Sequence, residues 1–350
     1  MRFSRPLRLD LNSDSLVANW RMLAAQGGTA ACGAAIKADG YGLGARGVAV
    51  RLAKAGCRDL FVSNWAEAEA LGALPEGVAL SVLHGVRAED MALARTLPAR
   101  PVLNSAAQVA RWRDAGGGRC DVMVDTGMSR LGLDPREACS GLLDGLDIDT
   151  LLSHLACAEE RDHPLNAMQL ARFVAVRAKV PARRYSLANS AGILLGRDYA
   201  FDLTRPGLAL YGGIPDPNDA EQRAALQQVA RLMAQVLQIR NVPTGESVGY
   251  GATWVAARPS TVAILNIGYA DGLFRRLAPL LSVSCEGAPC PVIGRISMDL
   301  TAVDVTGAGV TEGDWLELDF ALPDLAAGSG LSQYELLTSL GQRFDRRWRD

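Results

Sequence analysis

No segment of this chain is long and apolar enough to span a bilayer, so no membrane partner is expected. Charge of one sign is also missing: 36 Lys and Arg face 38 Asp and Glu, which leaves no electrostatic reason to expect nucleic acid or an anionic membrane surface as partner. The start, Met1-Arg2-Phe3-Ser4-Arg5-Pro6, lacks the apolar core of a secretory leader. The cysteines Cys32, Cys57, Cys120, Cys139, Cys157, Cys285 and Cys290 are odd in number and without metal-ligand spacing. They read as reduced core thiols of a cytoplasmic protein, with no metal site expected.

What is present is a globular composition, 49% apolar and 21% charged, over 350 residues, enough for two domains. From residue 30 to about 207, short apolar or β-branched runs alternate with helical patterns. The runs are Cys32–Lys37, Leu60–Ser63, Leu80–His84, Pro101–Asn104, Asp121–Asp125, Leu151–His154, Tyr185–Asn189 and Asp202–Arg205. Segments such as Ala66–Gly72, Ala106–Ala115 and Leu165–Val180 between them read as helices. Eight such repeats predict an α/β fold, a (β/α)8 TIM-type barrel. Beyond Pro215–Asp219 the runs Val229–Val242, Thr261–Ile267, Leu281–Cys285, Pro291–Val305 and Trp315–Leu318 are strand-like and joined by Gly- and Pro-containing turns. The expected division is a barrel over 12–218 and a mostly β C-terminal domain over 219–350, joined by 1–11 because Leu7–Leu11 alternates in the same way. Asn12 or Ser13 is the expected N-cap of the helix that follows.

Lys37, Ser63, His84, Asn104, His154 and Arg205 end their runs, and Arg130 and Ser190 lie just beyond theirs. Barrel enzymes build their sites from that end, so residues far apart in sequence can converge there. A doubly wound sheet also places ligands at its C-terminal strand ends, so the pattern speaks for a site more firmly than for barrel closure.

The segment from Ala34 to Gly47 contains Gly42-x-Gly44-x-x-Gly47, a formal match to the dinucleotide fingerprint. Gly42, however, lies several residues past Ile36, and the next strand ends Phe61-Val62-Ser63-Asn64 with no acidic residue for a ribose hydroxyl. The alternative reading starts from Lys37. Desolvated at the rim of a barrel, an amine loses proton affinity and frees its lone pair, which suits Schiff-base formation with an aldehyde. Position alone favours a lysine snorkelling at a strand end. In isolation, His154 reads as a satisfied barrel histidine, Tyr250 equally as a turn aromatic, and Arg130 and Arg205 as structural ion-pair formers. Trp20, Trp65, Trp112 and Trp254 read as packing residues.

Ala35-Ile-Lys-Ala-Asp-Gly-Tyr-Gly-Leu-Gly-Ala45 closely resembles the cofactor-lysine motif of the alanine racemases, whose lysine carries pyridoxal 5'-phosphate on a barrel joined to a β domain. The resemblance continues in order through Asp125–Gly132, Ser153–Ala156, Ala188–Ala191, Arg205–Gly212, Val248–Thr253, Ile267–Gly272, Gly294–Asp299 and Tyr334–Leu337. It implies Lys37 and Tyr250 as the two catalytic bases. It implies Tyr41, His154, Asn189, Ser190, Arg205, Gly207, Leu208 and Tyr334 beside Lys37 as cofactor-binding residues, and Arg130, Tyr269, Met298 and Asp299 as substrate-binding residues. It further implies a homodimer in which Tyr250 and the β domain complete the partner subunit's site, and a role supplying D-alanine for bacterial peptidoglycan.

Racemisation needs two bases on opposite faces of the α-carbon, and a phenol, which ordinarily titrates near pH 10, needs help to act as one near neutrality. The resemblance puts His154 and Arg205 behind the tyrosine. The resemblance also implies that Arg205 faces the pyridine nitrogen; arginine carries donors only, so it would leave that nitrogen unprotonated, a weaker electron sink that limits transamination.

Some positions depart from the family pattern. Met123 stands where many relatives carry a carbamylated lysine, Ser297 where cysteine is common, and His84 in a loop usually lacking histidine. The ending Arg343-Phe344-Asp345-Arg346-Arg347-Trp348 also departs from the usual one. The competing readings are a serine or broad-specificity racemase on the same bases, a non-catalytic pyridoxal-phosphate carrier, and a decarboxylase of the same barrel type. Tyr334 would narrow the site in favour of alanine.

Overall fold

The structure, a computed structural model, describes residues 5–285 and 287–349; most of the stretch read above for a leader, residues 1–4, lies outside them, as do residues 286 and 350. No helix among the described residues is long and apolar enough to cross a membrane.

Residues 16–227 form one compact unit. Its strands are Ala31–Cys32 continued by Ala34–Ala35, Asp59–Val62, Ala79–Val82, Arg100–Leu103, Cys120–Met123, Ile148–Leu152, Arg184–Ser186 and Leu203–Thr204. The first seven pair in parallel in chain order. Closure follows because Leu203–Thr204 pairs in parallel with Ala31–Cys32, while Asp202 N–H donates to Tyr185 O (3.0 Å) and Arg205 N–H to Ala188 O (2.9 Å). The unit is a (β/α)8 TIM-type barrel.

The first strand, read as one run from Cys32 to Lys37, is interrupted at Gly33 and ends at Ala35. At Gly33 the neighbouring strands pinch together: a Cβ there would lie 2.8 Å from Asp59 O and 3.2 Å from Thr204 O. Only glycine admits that approach.

Polar residues after the strands double as helix caps. Asn64 Oδ1 accepts from Glu67 N (3.0 Å), Ser105 Oγ from Gln108 N (3.3 Å) and Asn189 Oδ1 from Gly192 N (2.8 Å), opening the helices Trp65–Leu71, Ala106–Asp114 and Ser190–Leu195.

The barrel interior is layered. At the N-terminal ends of the strands Asp59, Asp121 and Asp149 meet Arg100 and Arg184; Arg184 Nη2 lies 2.7 Å from both Asp59 Oδ1 and Asp149 Oδ2, and Arg100 Nη1 pairs with Asp149. Nearer the other end Phe61, Val102, Met123, Leu152 and Leu203 form an apolar cluster. The barrel interior is filled, so the C-terminal mouth is where a barrel of this type serves a ligand.

The second compact unit comprises the described residues of Met1–Ser15 and Gln228–Asp350. It is mostly antiparallel β. Leu7–Asn12 pairs antiparallel with Ala230–Val242 and parallel with Asp345–Arg349, so the alternating N-terminal run joins the C-terminal strands. A register shift between Val236 and Gln238 lets the long strand pair with Ser260–Leu265 beyond that point. The run read as one strand over Pro291–Val305 is two, Ala288–Ile293 and Thr301–Asp304, separated by the loop carrying Met298 and Asp299. Two short helices, Leu322–Ser329 and Gln333–Thr338, lie within this unit. Asn12 is the cap of the helix Ser13–Gln26, its Oδ1 accepting from Ser15 N at 2.9 Å.

Candidate active site

Lys37 stands two residues past the end of the first barrel strand, half-buried, and opens a turn of left-handed backbone: Ala38 (φ 51°), Asp39 (φ 52°), Gly40 (φ 63°) and Tyr41 (φ 54°). A left-handed turn costs an L-residue roughly 1–2 kcal/mol, so three non-glycine residues there need external clamps. The bonds Gly40 N to Ile36 O (2.8 Å) and Gly42 N to Ala38 O (2.9 Å) close it internally. Asp39 Oδ1 accepts from Ala45 N (2.9 Å). Tyr41 is buried and stacks on Tyr211 at 4.7 Å between ring centroids, and Tyr211 Oη donates to Ala35 O (2.9 Å). From the first turn of the helix Trp65–Leu71, Glu67 accepts from Ala38 N (3.0 Å) and Ser63 N (2.8 Å).

The charges around Lys37 are mostly positive. Burial lowers its proton affinity, the Arg130 guanidinium lowers it further, and Glu67 opposes both. Arg130 is exposed, and its loop is shaped by Asp125, whose carboxylate accepts from Gly127 N (2.8 Å), Met128 N (2.8 Å) and Arg130 N (3.0 Å). Burial pushes the Asp125 carboxyl up, but these backbone donors more than offset it and hold it below the usual range.

Arg205 is 6% exposed, donates from Nη2 to Ser153 O (2.5 Å) and from Nη1 to Ser186 Oγ, and has no ion-pair partner within 4 Å among the described residues. Burial brings it down to about 10, so it stays charged at neutral pH. His154 falls to about 3 through burial and then the charges of Arg205, Arg130 and Lys37. It is a neutral imidazole in every ordinary buffer.

That shift carries a pH dependence. An unfolded histidine titrates near 6.5, so as pH falls below this value the unfolded chain takes up a proton that folded His154 refuses. The stabilisation is complete above pH 6.5 and drains away towards pH 3. Between pH 7 and pH 5 it amounts to about 2 kcal/mol at most. The urea midpoint of the wild type is expected to fall further over that interval than the midpoint of His154→Gln; parallel falls would show that His154 does not contribute.

Opposite the lysine turn, Ser190 Oγ accepts from Gly207 N (2.9 Å) and Ala209 N (3.2 Å), tying the start of the helix Ser190–Leu195 to the 3-10 turn Leu208–Tyr211. Gly207 has no room for a side chain: a Cβ would sit 2.2 Å from Tyr41 Oη. Lys37, Tyr41, Arg130, His154, Asn189, Ser190, Arg205, Gly207 and Leu208 thus all belong to the C-terminal end of one barrel. With Lys37, Arg130 and Arg205 it is a cationic mouth, matched to a phosphate and a carboxylate.

Sequence profiles of the alanine racemase N-terminal domain and C-terminal domain match residues 11–215 and 229–348. The alanine racemase of Acidiphilium cryptum is 44% identical over 97% of both chains. The chain belongs to the alanine racemase family. Among solved structures, an alanine racemase from Bartonella henselae with covalently bound pyridoxal phosphate is 37% identical, with a TM-score of 0.90 over 99% of this chain and 100% of that one. A biosynthetic alanine racemase from Pseudomonas aeruginosa is 33% identical, with a TM-score of 0.87 over 99% and 100%.

The remaining family positions lie on the second unit. Tyr250 is 66% exposed and heads a 3-10 turn flanked by Gly249 (φ 80°) and Gly251 (φ 72°). Tyr269 N donates to Ser297 O (3.0 Å) and Ala270 N to Met298 O (3.0 Å), so the Tyr269 and Met298 segments lie side by side; Met298 is 54% exposed. Asp299 is engaged by Arg343 Nη1 (2.6 Å), which also grips buried Asp271 through Nε (2.6 Å) and Nη2 (2.7 Å). The departing C-terminal sequence thus has a structural task. Tyr334 lies half-buried on the helix Gln333–Thr338.

Met123, where alanine racemases often carry a carbamylated lysine, is part of the apolar barrel cluster. Near it Asn104 donates to Leu83 O (2.9 Å) and Val102 O (2.6 Å) and leaves its buried Oδ1 without a partner among the described residues. His84 is exposed. The roles of Glu67, Asp125 and Ser186 escaped the sequence reading. Glu67 left one trace, the Asn64-x-x-Glu67 spacing of a capping box whose carboxylate is diverted to Ser63 and Ala38.

Proposed function

We propose that this chain is a pyridoxal-phosphate-dependent alanine racemase, interconverting L- and D-alanine with Lys37 and Tyr250 as the two bases. The observation that carries the reading is the half-buried Lys37 amine, held on a clamped left-handed turn beside Arg130 at a cationic barrel mouth. The donor set fits the cofactor: an amine of lowered proton affinity for its aldehyde, the Ser190 hydroxyl and the Gly207–Leu208 backbone for its phosphate, and a donor-only arginine for its ring nitrogen. Tyr41, His154, Asn189 and Tyr334 complete the cofactor residues.

Pyridoxal phosphate supplies the electron sink that makes the α-proton of alanine removable. Arg130 receives the substrate carboxylate. Lys37 takes or returns the proton at its Nζ on one face, and Tyr250 does so at its phenolic oxygen on the other. Arg205 stays charged and His154 neutral behind the tyrosine, so the phenol meets a hydrogen-bonding wall with one fixed positive charge.

The domains are the barrel over 12–218 and the mostly β domain over 1–11 and 219–350. In a homodimer the second domain brings Tyr250, Tyr269, Met298 and Asp299 to the partner's barrel mouth. The exposure of Tyr250 and Met298 on the second unit supports this, since a catalytic phenol needs a wall against it. The enzyme works in the cytoplasm and supplies D-alanine for peptidoglycan.

The test is polarimetry with L-alanine, L-serine and L-lysine. Alanine is expected to lose its rotation roughly tenfold or more faster than either of the others, since a side-chain extension costs about 1–3 kcal/mol in a pocket sized for a methyl group. Equal rates would favour the broad-specificity reading, and no loss with any of them the carrier.

A further inference from the structure

We propose that Glu67 is the positioning residue of the lysine turn: its carboxylate grips Ala38 N and Ser63 N at once and so fixes Lys37 for capture of the cofactor aldehyde. This rests on the reading of Lys37 as the cofactor lysine. Three observations lead to it. First, both carboxylate oxygens are used, Oε1 by Ala38 N (3.0 Å) and Oε2 by Ser63 N (2.8 Å), so one side chain staples the ends of the first and second barrel strands. Second, Ala38 is the first left-handed residue after Lys37, and an exposed alanine has no side chain with which to hold its own strained backbone. Third, Glu67 is itself anchored, because its N–H donates to Oδ1 of Asn64 (3.0 Å), the cap of the helix Trp65–Leu71.

The carboxylate also has an electrostatic effect on the amine. Arg130, His154 and Glu67 are the titratable and charged groups that interact with Lys37; burial and Arg130 lower its proton affinity, His154 is neutral, and Glu67 alone pulls the other way. Glu67 therefore sets both where the amine stands and how readily it gives up its proton.

The two effects separate in a pair of variants. Glu67→Gln removes the charge and turns an NH2 towards one of the two backbone donors, whereas Glu67→Asp keeps the charge and loses one methylene of reach. The full-length chain, freed of cofactor, is mixed with pyridoxal phosphate at a series of pH values. Samples are reduced with borohydride at timed intervals, and the labelled Lys37 peptide is quantified by mass spectrometry. In Glu67→Gln the plateau rate of labelling is expected to fall about tenfold and its acid midpoint to move down by about one pH unit. In Glu67→Asp the plateau should fall with the midpoint unmoved.

A variant that keeps the wild-type circular dichroism together with the wild-type plateau and midpoint overturns the proposal. So does a loss in melting temperature alone, for that is a structural role. If instead the wild type is not labelled at Lys37, the assignment of the cofactor lysine fails, and the two failures are told apart.

Discussion

Lys37→Ala is expected to abolish borohydride-stable attachment of pyridoxal phosphate and to lower racemisation of alanine by at least about four orders of magnitude, while the protein remains folded. The retained fold follows from the clamps. The turn is held by Glu67, Asp39 and the Tyr41–Tyr211 stack, none of which uses the lysine ammonium. The loss follows from chemistry, since Arg130, Arg205 and neutral His154 offer no second amine at the mouth. Mass spectrometry of the reduced protein and polarimetry with L-alanine measure the two effects. Covalent attachment that survives at another lysine would remove Lys37 from the mechanism.

Tyr250→Phe is expected to lower racemisation about a thousandfold, within the usual span for loss of a positioned acid–base group. The ring is kept, so only the phenolic proton is withdrawn. Because Lys37 still serves one face, the variant should exchange the α-hydrogen of one alanine enantiomer with solvent D2O without inverting it. Proton NMR of the alanine α-position distinguishes exchange from inversion. The same variant tests the shared site. Mixed and reassociated with Lys37→Ala, it should regain roughly one quarter of wild-type activity, because random pairing gives half heterodimers, each with one intact site. Two bases belonging to the same chain would give no recovery, and the shared-site arrangement would fall.

The barrel was legible because its signals are local. Asp59–Val62, Arg100–Leu103 and Ile148–Leu152 each end in apolar residues followed at once by a polar one, and Ser105 and Asn189, just past the ends of their strands, start the next helices. The cationic mouth was legible for the same reason: Lys37, His154 and Arg205 follow apolar runs, and in a parallel barrel that position is the ligand-facing rim. The interruption at Gly33 was not legible, because it is imposed by Asp59 and Thr204, which approach from other strands. Nor was the split of residues 288–304 into two strands, since the apolar pattern runs on through the loop that bends Met298 towards Tyr269. The aspartates and arginines at the lower end, Asp59, Asp121, Asp149, Arg100 and Arg184, stand first or second in their strands and read there as ordinary polar residues. Only the closed barrel brings them into one buried network.

By itself, the amino-acid order determined the alternation of strands and helices, the polar residues that end each strand, and the motifs of an alanine racemase, because periodicity, capping and motif spacing are properties of neighbouring residues. The tertiary structure alone decided that Ala38, Asp39 and Tyr41 adopt left-handed backbone, that Glu67 reaches across to hold Ala38 and Ser63, and that Arg205 lies buried against Ser153 and Ser186. The physical reason is that strain and buried charge are tolerated only where distant groups supply the missing hydrogen bonds, and which groups those are depends on how the chain has closed upon itself.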